Sequence, residues 1–352
     1  MLLSAAKKEK IMPSILTLGI ESSCDETSCS VVKDGRFILS NVIASQADFH
    51  SVYGGVVPEL ASRMHVEAIV PAIQTALTDA DVSFGDLAAV CVTKGPGLVG
   101  ALLVGISAAK GICEVTGLPL IGVGHIEGHI SANFLADLTL EPPFICLVVS
   151  GGHSHIVYVK DYGEYEILAR TRDDAAGEAF DKIARAIGLG YPGGPKMDRA
   201  SAGGDPHRFI FPQSHFSGSL DFSFSGVKTA ALNQINHLKM SGEEIPLADF
   251  AASYQAAIVK VLVENTMEAC LQKGCSRLCM AGGVSANSQL RKRMQDAAVS
   301  NNIHISFPPP VLCTDNAAMI ASAGYYQFIK GERDDLSMNA YPSLSLSYRS
   351  ST

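Results

Sequence analysis

The chain has 352 residues, 47% hydrophobic and 18% charged, enough to fill the cores of two domains and too apolar for a disordered chain. Its net charge of −8 excludes a protein that grips nucleic acid by bulk electrostatics, though not one with a local basic patch or a basic partner. Nine scattered cysteines with no C-x-x-C pair read as buried thiols in a reducing compartment, so a cytoplasmic protein is expected. Met1 to Met12 hold three lysines, one glutamate and no arginine, which fits neither a secretory signal nor a transit peptide. No uninterrupted apolar run reaches the ~18 residues of a membrane span, so no membrane association is expected.

In chain order, residues 15–20, 28–33 and 37–44 read as three short strands joined by tight polar turns. Pro58 in a first helical turn opens an amphipathic helix over 59–78. A buried strand at 88–93 is broken by Gly95-Pro96-Gly97, and a small-residue helix follows over 99–115. A strand at 118–123 and a helix over 126–138 complete the first half. Then the order repeats: strands at 144–150, 155–160 and 165–170, helices over 176–187 and 247–273, a strand at 277–281, a helix over 285–298, a strand at 303–307 and a helix over 314–330. Both halves run β-β-β-α-β-α-β-α. The intervening 188–244, rich in Gly, Pro, Ser and Phe, reads as irregular apart from a helix over 227–239.

This order resembles the duplicated ribonuclease H-like α/β architecture of the actin, sugar kinase and Hsp70 superfamily, two lobes about a central cleft. The lobes are expected to span 13–138 with the C-terminal helix (about 316–340), and 139–315 with an insertion at about 188–246. His125 and His129 lie one helical turn apart on one face, about the separation one metal ion needs. Glu127 between them fits neither a zincin nor its inverted variant. The last helix of each half occupies an equivalent place, and with Thr314 as N-cap, Asp315 begins the second of them, facing the same cleft. The bland alternatives are two histidines that touch nothing and a carboxylate on a helix dipole.

Three Gly- or Ser-rich turns offer unpaired backbone N–H groups to phosphate oxygens: residues 21–28, 148–153 and 281–287. No Walker A sequence occurs, and no G-x-G-x-x-G follows the first strand. Glu21 and Asp25 are candidates for proton handling, Cys24 reads as a packed thiol, and His153 and His155 should share one face of a strand. The basic residues expected near the cleft are Arg170, Arg172, Lys182, Arg185, Lys196, Lys228 and the run Arg291-Lys292-Arg293.

The motifs Ile20-Glu21-Ser22-Ser23-Cys24-Asp25-Glu26-Thr27, Pro58-Glu59-Leu60-Ala61-Ser62-Arg63, Gly95-Pro96-Gly97, His125-x-Glu127-Gly128-His129, Ser150-Gly151-Gly152-His153, Tyr191-Pro192-Gly193-Gly194-Pro195, Gly282-Gly283-Val284-Ser285-Ala286-Asn287 and Thr314-Asp315-Asn316 resemble, in order, the bacterial-type tRNA threonylcarbamoyladenosine synthase transferase family. The resemblance implies transfer of a threonylcarbamoyl group from threonylcarbamoyl-AMP to N6 of the adenosine 3′ of the anticodon in tRNAs reading ANN codons. It implies one divalent metal, Fe2+ favoured and Zn2+ the alternative, on His125, His129 and Asp315. It implies adenylate binding by Val148, Val149, Ser150, Gly151, Gly152, Asp181, Gly194, Asp198 and Asn287. Implied partners are tRNA, a paralogous subunit of the same fold and a small P-loop ATPase. The tail from Asn339 to Thr352 lacks the basic, Trp-containing ending common in that family. The rival reading is an ATP-dependent kinase or ATPase of the same superfamily, to which helix-borne histidines are foreign.

Overall fold

The computed structural model describes residues 14–346; the N-terminal stretch Met1 to Met12 and the end of the tail, 347–352, lie outside the described residues. The first five-stranded sheet contains β1 (Leu16–Glu21), β2 (Glu26–Lys33), β3 (Phe37–Ser45), β4 (Ala89–Gly95) and β5 (Leu120–Gly124), in the order β3-β2-β1-β4-β5. The short α1 (Ala47–Ser51), α2 (Pro58–Asp79), α3 (Val99–Thr116) and α4 (His125–Ala136) accompany it. The second sheet contains β6 (Phe144–Val149), β7 (Ser154–Asp161), β8 (Glu164–Arg170), β9 (Arg277–Ala281) and β10 (His304–Ser306), in the order β10-β9-β6-β7-β8. Its helices are α5 (Ala176–Ala186), α6 (Gly193–Ala200), α7 (Ser225–Met240), α8 (Leu247–Lys273), α9 (Ser288–Ser300), α10 (Pro310–Cys313) and α11 (Ala317–Ile329). Read from the other edge, the second order repeats the first, with antiparallel β6–β7 and β7–β8 pairs and parallel β6–β9 and β9–β10 pairs. The molecule is the duplicated, two-lobed α/β fold that the element order predicts.

The central strands β1, β4 and β6, and the edge strand β5, are almost wholly buried, as strands covered by helices on both faces must be. The two helices that end the halves are exchanged. Helix α4 follows β5, yet Ile126, Ile130 and Phe134 pack with Phe144, Cys146, Val148 and Cys279 of the second sheet. Helix α11 lies against β1, β2 and β4 of the first. A Cβ at Gly19 of β1 would overlap the Ala317 carbonyl, so glycine sets how closely α11 approaches. The exchange makes α4 and α11 neighbours between the sheets and brings their N-terminal ends together.

Two sequence expectations need correction. The insertion is not irregular before residue 227, because α6 forms at Gly193–Ala200; Pro195 is tolerated in a first helical turn, whose N–H groups are free in any case. Thr314 does not cap α11: Asn316 does, its side chain accepting from Met319 N, so Asp315 precedes the helix and is free of its backbone geometry. By length and mean hydropathy (1.5) α3 could cross a bilayer. Lys110 and Glu114 interrupt its apolar run. Here its Ala101, Leu102, Ile106 and Ala109 are buried in the first lobe.

Candidate active site

His125 opens α4 and His129 stands one turn on, their ring centroids 4.6 Å apart. Asp315 comes to the same spot from the other half of the chain. Its Oδ1 lies 3.5 Å from His125 Nε2 and 3.2 Å from His129 Nε2. Donor atoms of all three residues fall within 4.8 Å of one another, the spacing of ligands about one ion.

His125 is oriented from behind by Glu21, which is wholly buried at the end of β1. Glu21 Oε2 accepts from His125 Nδ1 at 3.1 Å and from Thr93 Oγ1 at 2.7 Å, while Oε1 accepts from Ser23 N at 2.6 Å. A carboxylate here only accepts, so Nδ1 carries the proton and Nε2 faces Asp315. Burial works against a charged His125, but Asp315 and Glu21 outweigh it and hold the ring up at about 9. Burial alone would raise Asp315; His125 and His129 instead pull it below the usual carboxylate range. His129 is fully buried, and among the described residues neither ring nitrogen makes a well-formed hydrogen bond, Nε2 having only the 3.2 Å approach to Asp315 Oδ1. Such an orphan costs about 1–3 kcal/mol, and a cation on Nε2 would relieve half of it. Two imidazoles and a carboxylate, one of them fixed from behind and one unsatisfied, fit a divalent metal.

Carboxylates crowd the same wall. Burial, Asp315 and Asp25 push Glu26 up to about 10, so it holds its proton at neutral pH. Burial and the Asp25 charge also push the Cys24 thiol up, which removes it as a nucleophile. His153 and His155 stack at 5.7 Å on one face of β7 and its leading turn, as their alternation predicts. Burial with the neighbouring His125 and His155 presses His153 down to about 3.

The opposite wall is made of turns. Ser150 N donates to His153 O at 2.8 Å and Gly177 N to Ser150 O at 3.2 Å, closing the turn after β6. A Cβ at Gly151, Gly152, Gly194 or Gly283 would meet nothing within 4 Å, so these backbones face open space. Gly282 has φ 84°, and a Cβ there would overlap the Val149 carbonyl. Val148 and Val149 are wholly buried in different apolar clusters, leaving only their backbone for any ligand. Asp181 Oδ1 accepts from Gly193 N at 2.7 Å and so caps α6, while burial raises its pKa. Asp198 accepts from Ser288 N (3.0 Å), Ser288 Oγ (2.8 Å) and Gln255 Nε2 (3.2 Å). Asn287 caps α9 through Leu290 N (2.9 Å) and donates to Gln255 Oε1 (2.7 Å).

The TsaD family model, described as tRNA N6-adenosine threonylcarbamoyltransferase, matches residues 37–322. The chain belongs to that family. A tRNA N6-adenosine threonylcarbamoyltransferase of Clostridium botulinum (strain 657 / Type Ba4) is 58% identical over 337 residues, covering 96% of this chain and 99% of its own. One from Clostridium kluyveri (strain NBRC 12016) is 54% identical over 334 residues, covering 94% and 98%. Among solved structures, HypF of T. kodakarensis superposes with a TM-score of 0.63 at 14% identity, covering 90% of this chain and 48% of that one. Component A of the Acidaminococcus fermentans (R)-2-hydroxyglutaryl-CoA dehydratase gives 0.52 at 15% identity, covering 89% and 98%; at such identities these two speak for the fold alone.

For a tRNA-modifying transferase, the cations near the cleft are heavily committed. Arg172 pairs with Asp221 at 2.9 Å, Lys182 with Asp174 and Glu178 at 3.1 and 2.6 Å, and Lys228 with Asp174. Arg185 donates to the Gly54 carbonyl, and Arg291 to Ser285 O and Pro308 O. The sequence reading missed Ser23 and Thr93 behind His125, and Gln255 between Asp198 and Asn287. Only Gln255 had a signal: an amide inside the otherwise apolar stretch Tyr254 to Val259 of α8.

Proposed function

We propose that this family member transfers the threonylcarbamoyl group of threonylcarbamoyl-AMP to N6 of the adenosine 3′ of the anticodon in tRNAs reading ANN codons, releasing AMP. The observation that carries this is the convergence of His125, His129 and Asp315 beside turns with open-faced glycines. In the reaction the N6–carbonyl carbon bond forms, and the bond from that carbon to the phosphate oxygen breaks with its electron pair leaving on AMP. An adenine amine is a weak nucleophile, so positioning and charge stabilisation have to supply most of the rate. His125, His129 and Asp315 would hold one divalent metal, Fe2+ favoured over Zn2+. When bound, that ion supplies Lewis-acid polarisation of the threonylcarbamoyl carbonyl.

The chain's own residues do the rest. N–H groups of Gly151, Gly152 and Gly283 receive the phosphate. Asp198 and Asn287 hold the ribose hydroxyls and adenine, with Asp181 fixing Gly193 and Gly194 at the rim. Glu21 is spent on Ser23, Thr93 and His125, which leaves Asp25 as the carboxylate that takes the N6 proton. With so many cleft cations paired internally, tRNA affinity depends on the paralogous subunit and the small P-loop ATPase, in the cytoplasm.

The test is to incubate the protein and its partners with threonylcarbamoyl-AMP and unmodified tRNA, and to read the modified nucleoside by mass spectrometry. Wild type gives product, and His129→Ala gives none. Product at full rate from His129→Ala removes the metal from the reaction, and ATP turnover without tRNA favours the kinase reading.

A further inference from the structure

Gln255 lies in the middle of α8, 1% exposed, where an unpaired amide would be costly. It is not unpaired. A directional chain of hydrogen bonds runs through it across three separate elements. Leu290 N donates to Asn287 Oδ1, the α9 cap, which obliges the Asn287 amide nitrogen to point the other way. That nitrogen donates to Gln255 Oε1 at 2.7 Å. Gln255 Nε2 then donates to Asp198 Oδ1 on α6 and to Ser201 Oγ just past its end, both at 3.2 Å. Reversing the Gln255 amide would set its oxygen against the Asp198 carboxylate and its nitrogen against the Asn287 nitrogen. Only one orientation satisfies both neighbours. After this chain is counted, Asn287 keeps one N–H, and Asp198 keeps lone pairs on Oδ2 beyond that used by Ser288 N.

We infer that Gln255 is the positioning residue of the nucleoside subsite: it locks Asn287 and Asp198, on α9 and α6, into a single donor–acceptor pair that reads the adenosine half of the donor. The inference rests on the proposal that these two residues hold that nucleoside. Both N–H groups of Gln255 are used within the protein. Its role is to decide which atoms of its neighbours remain free.

The experiment titrates AMP into full-length wild type, Asn287→Ala, Gln255→Met and Gln255→Glu by calorimetry, with thermal melting as the check on folding. Gln255→Met removes both ends of the link and weakens AMP by about tenfold or more, from the typical worth of two hydrogen bonds. In the full reaction the KM for the donor rises while kcat at saturating donor stays unchanged. Gln255→Glu gives the readout that packing alone cannot. Ionised, the new carboxylate repels Asp198; protonated, it donates as the amide did. AMP binding relative to wild type at the same pH is therefore weak at about pH 8 and recovers at about pH 5.5, while Gln255→Met shows no recovery. Wild-type-like AMP affinity in both Gln255 variants, with Asn287→Ala impaired, overturns the positioning role and spares the subsite. AMP binding that is absent in wild type or unchanged in Asn287→Ala overturns the subsite, and the positioning role with it. Should Gln255→Met fail to fold, the pH pair on Gln255→Glu decides alone.

Discussion

On one wall of the cleft His129 is fully buried and, among the described residues, makes no well-formed hydrogen bond through either ring nitrogen, whereas on the other Asp198 and Asn287 each make several hydrogen bonds within the protein. The first wall is built around a deficit. His125 is fixed from behind by Glu21, Asp315 arrives from a distant part of the chain to within 3.2 Å of His129 Nε2, and the His129 imidazole makes no well-formed hydrogen bond among the described residues. The second wall is complete as it folds. A buried polar group left unsatisfied is tolerated where binding repays it, so the first wall depends on a ligand for part of its stability. The second is rigid before any nucleotide arrives, which reduces the entropy lost on binding.

The largest expected effect tests the deficit directly. His129→Leu should lower affinity for Zn2+ or Fe2+ by a hundredfold or more, read by competition with a chromophoric chelator. Without added metal the same variant should unfold within about 1 kcal/mol of wild type in urea, because the lost imidazole made no well-formed hydrogen bond and its approach to Asp315 leaves that carboxylate still facing His125. A large loss of metal-free stability would show that His129 is already satisfied and would erase the contrast. Next comes Glu21→Gln, which keeps the shape but removes the charge behind His125. Metal affinity should fall about 10–100-fold, the usual cost of losing a partner that orients a ligating histidine. An unchanged affinity would mean that Ser23 Oγ, 3.2 Å from His125 Nδ1, orients the ring unaided. On the completed wall the sign reverses: Asn287→Ala should destabilise the protein by about 1–2 kcal/mol with or without metal, since it uncaps α9 and strands the Gln255 carbonyl.

How far the sequence carries follows the same division. Strand and helix order was readable because buried strands and amphipathic helices leave periodic patterns, and the repetition of that order led to the two-lobed fold. The pairing of His125 and His129 was readable from spacing alone, since a helix puts residues four apart on one face. Bringing Asp315 to them needed the duplicated topology. Even then the local detail was misread, because Thr314 and Asn316 are both good cap residues and only the backbone decides between them. Glu21 could be flagged as a polar residue ending a strand, but its bonds to Thr93 and His125 span 72 and 104 residues and leave no local pattern. The α6 helix was lost for another reason: Gly193, Gly194 and Pro195 spell a turn, and the cap that starts the helix is Asp181, twelve residues earlier.

The smallest effect concerns His155, beside the deficient wall but not facing the ion site. Burial and the nearby Arg170 press its pKa down to about 4, and its Nδ1 has no hydrogen-bond partner among the described residues. Folded protein therefore keeps this ring neutral where the unfolded chain, with an ordinary histidine near 6.5, takes up a proton. Between those values the unfolded state binds more protons, so stability is full above about pH 6.5 and falls as pH drops towards 4. One proton corresponds to a slope of at most about 1.4 kcal/mol per pH unit, reduced by the partial exposure of the ring. Urea unfolding of wild type and His155→Gln across that window should give curves that diverge on acidification, with the variant losing less. Because His155 lies outside the metal ligands, the divergence should persist unchanged in a His129→Leu background. If it vanishes there, the stacked His153–His155 pair titrates together with the ion site, and the two walls are electrostatically one.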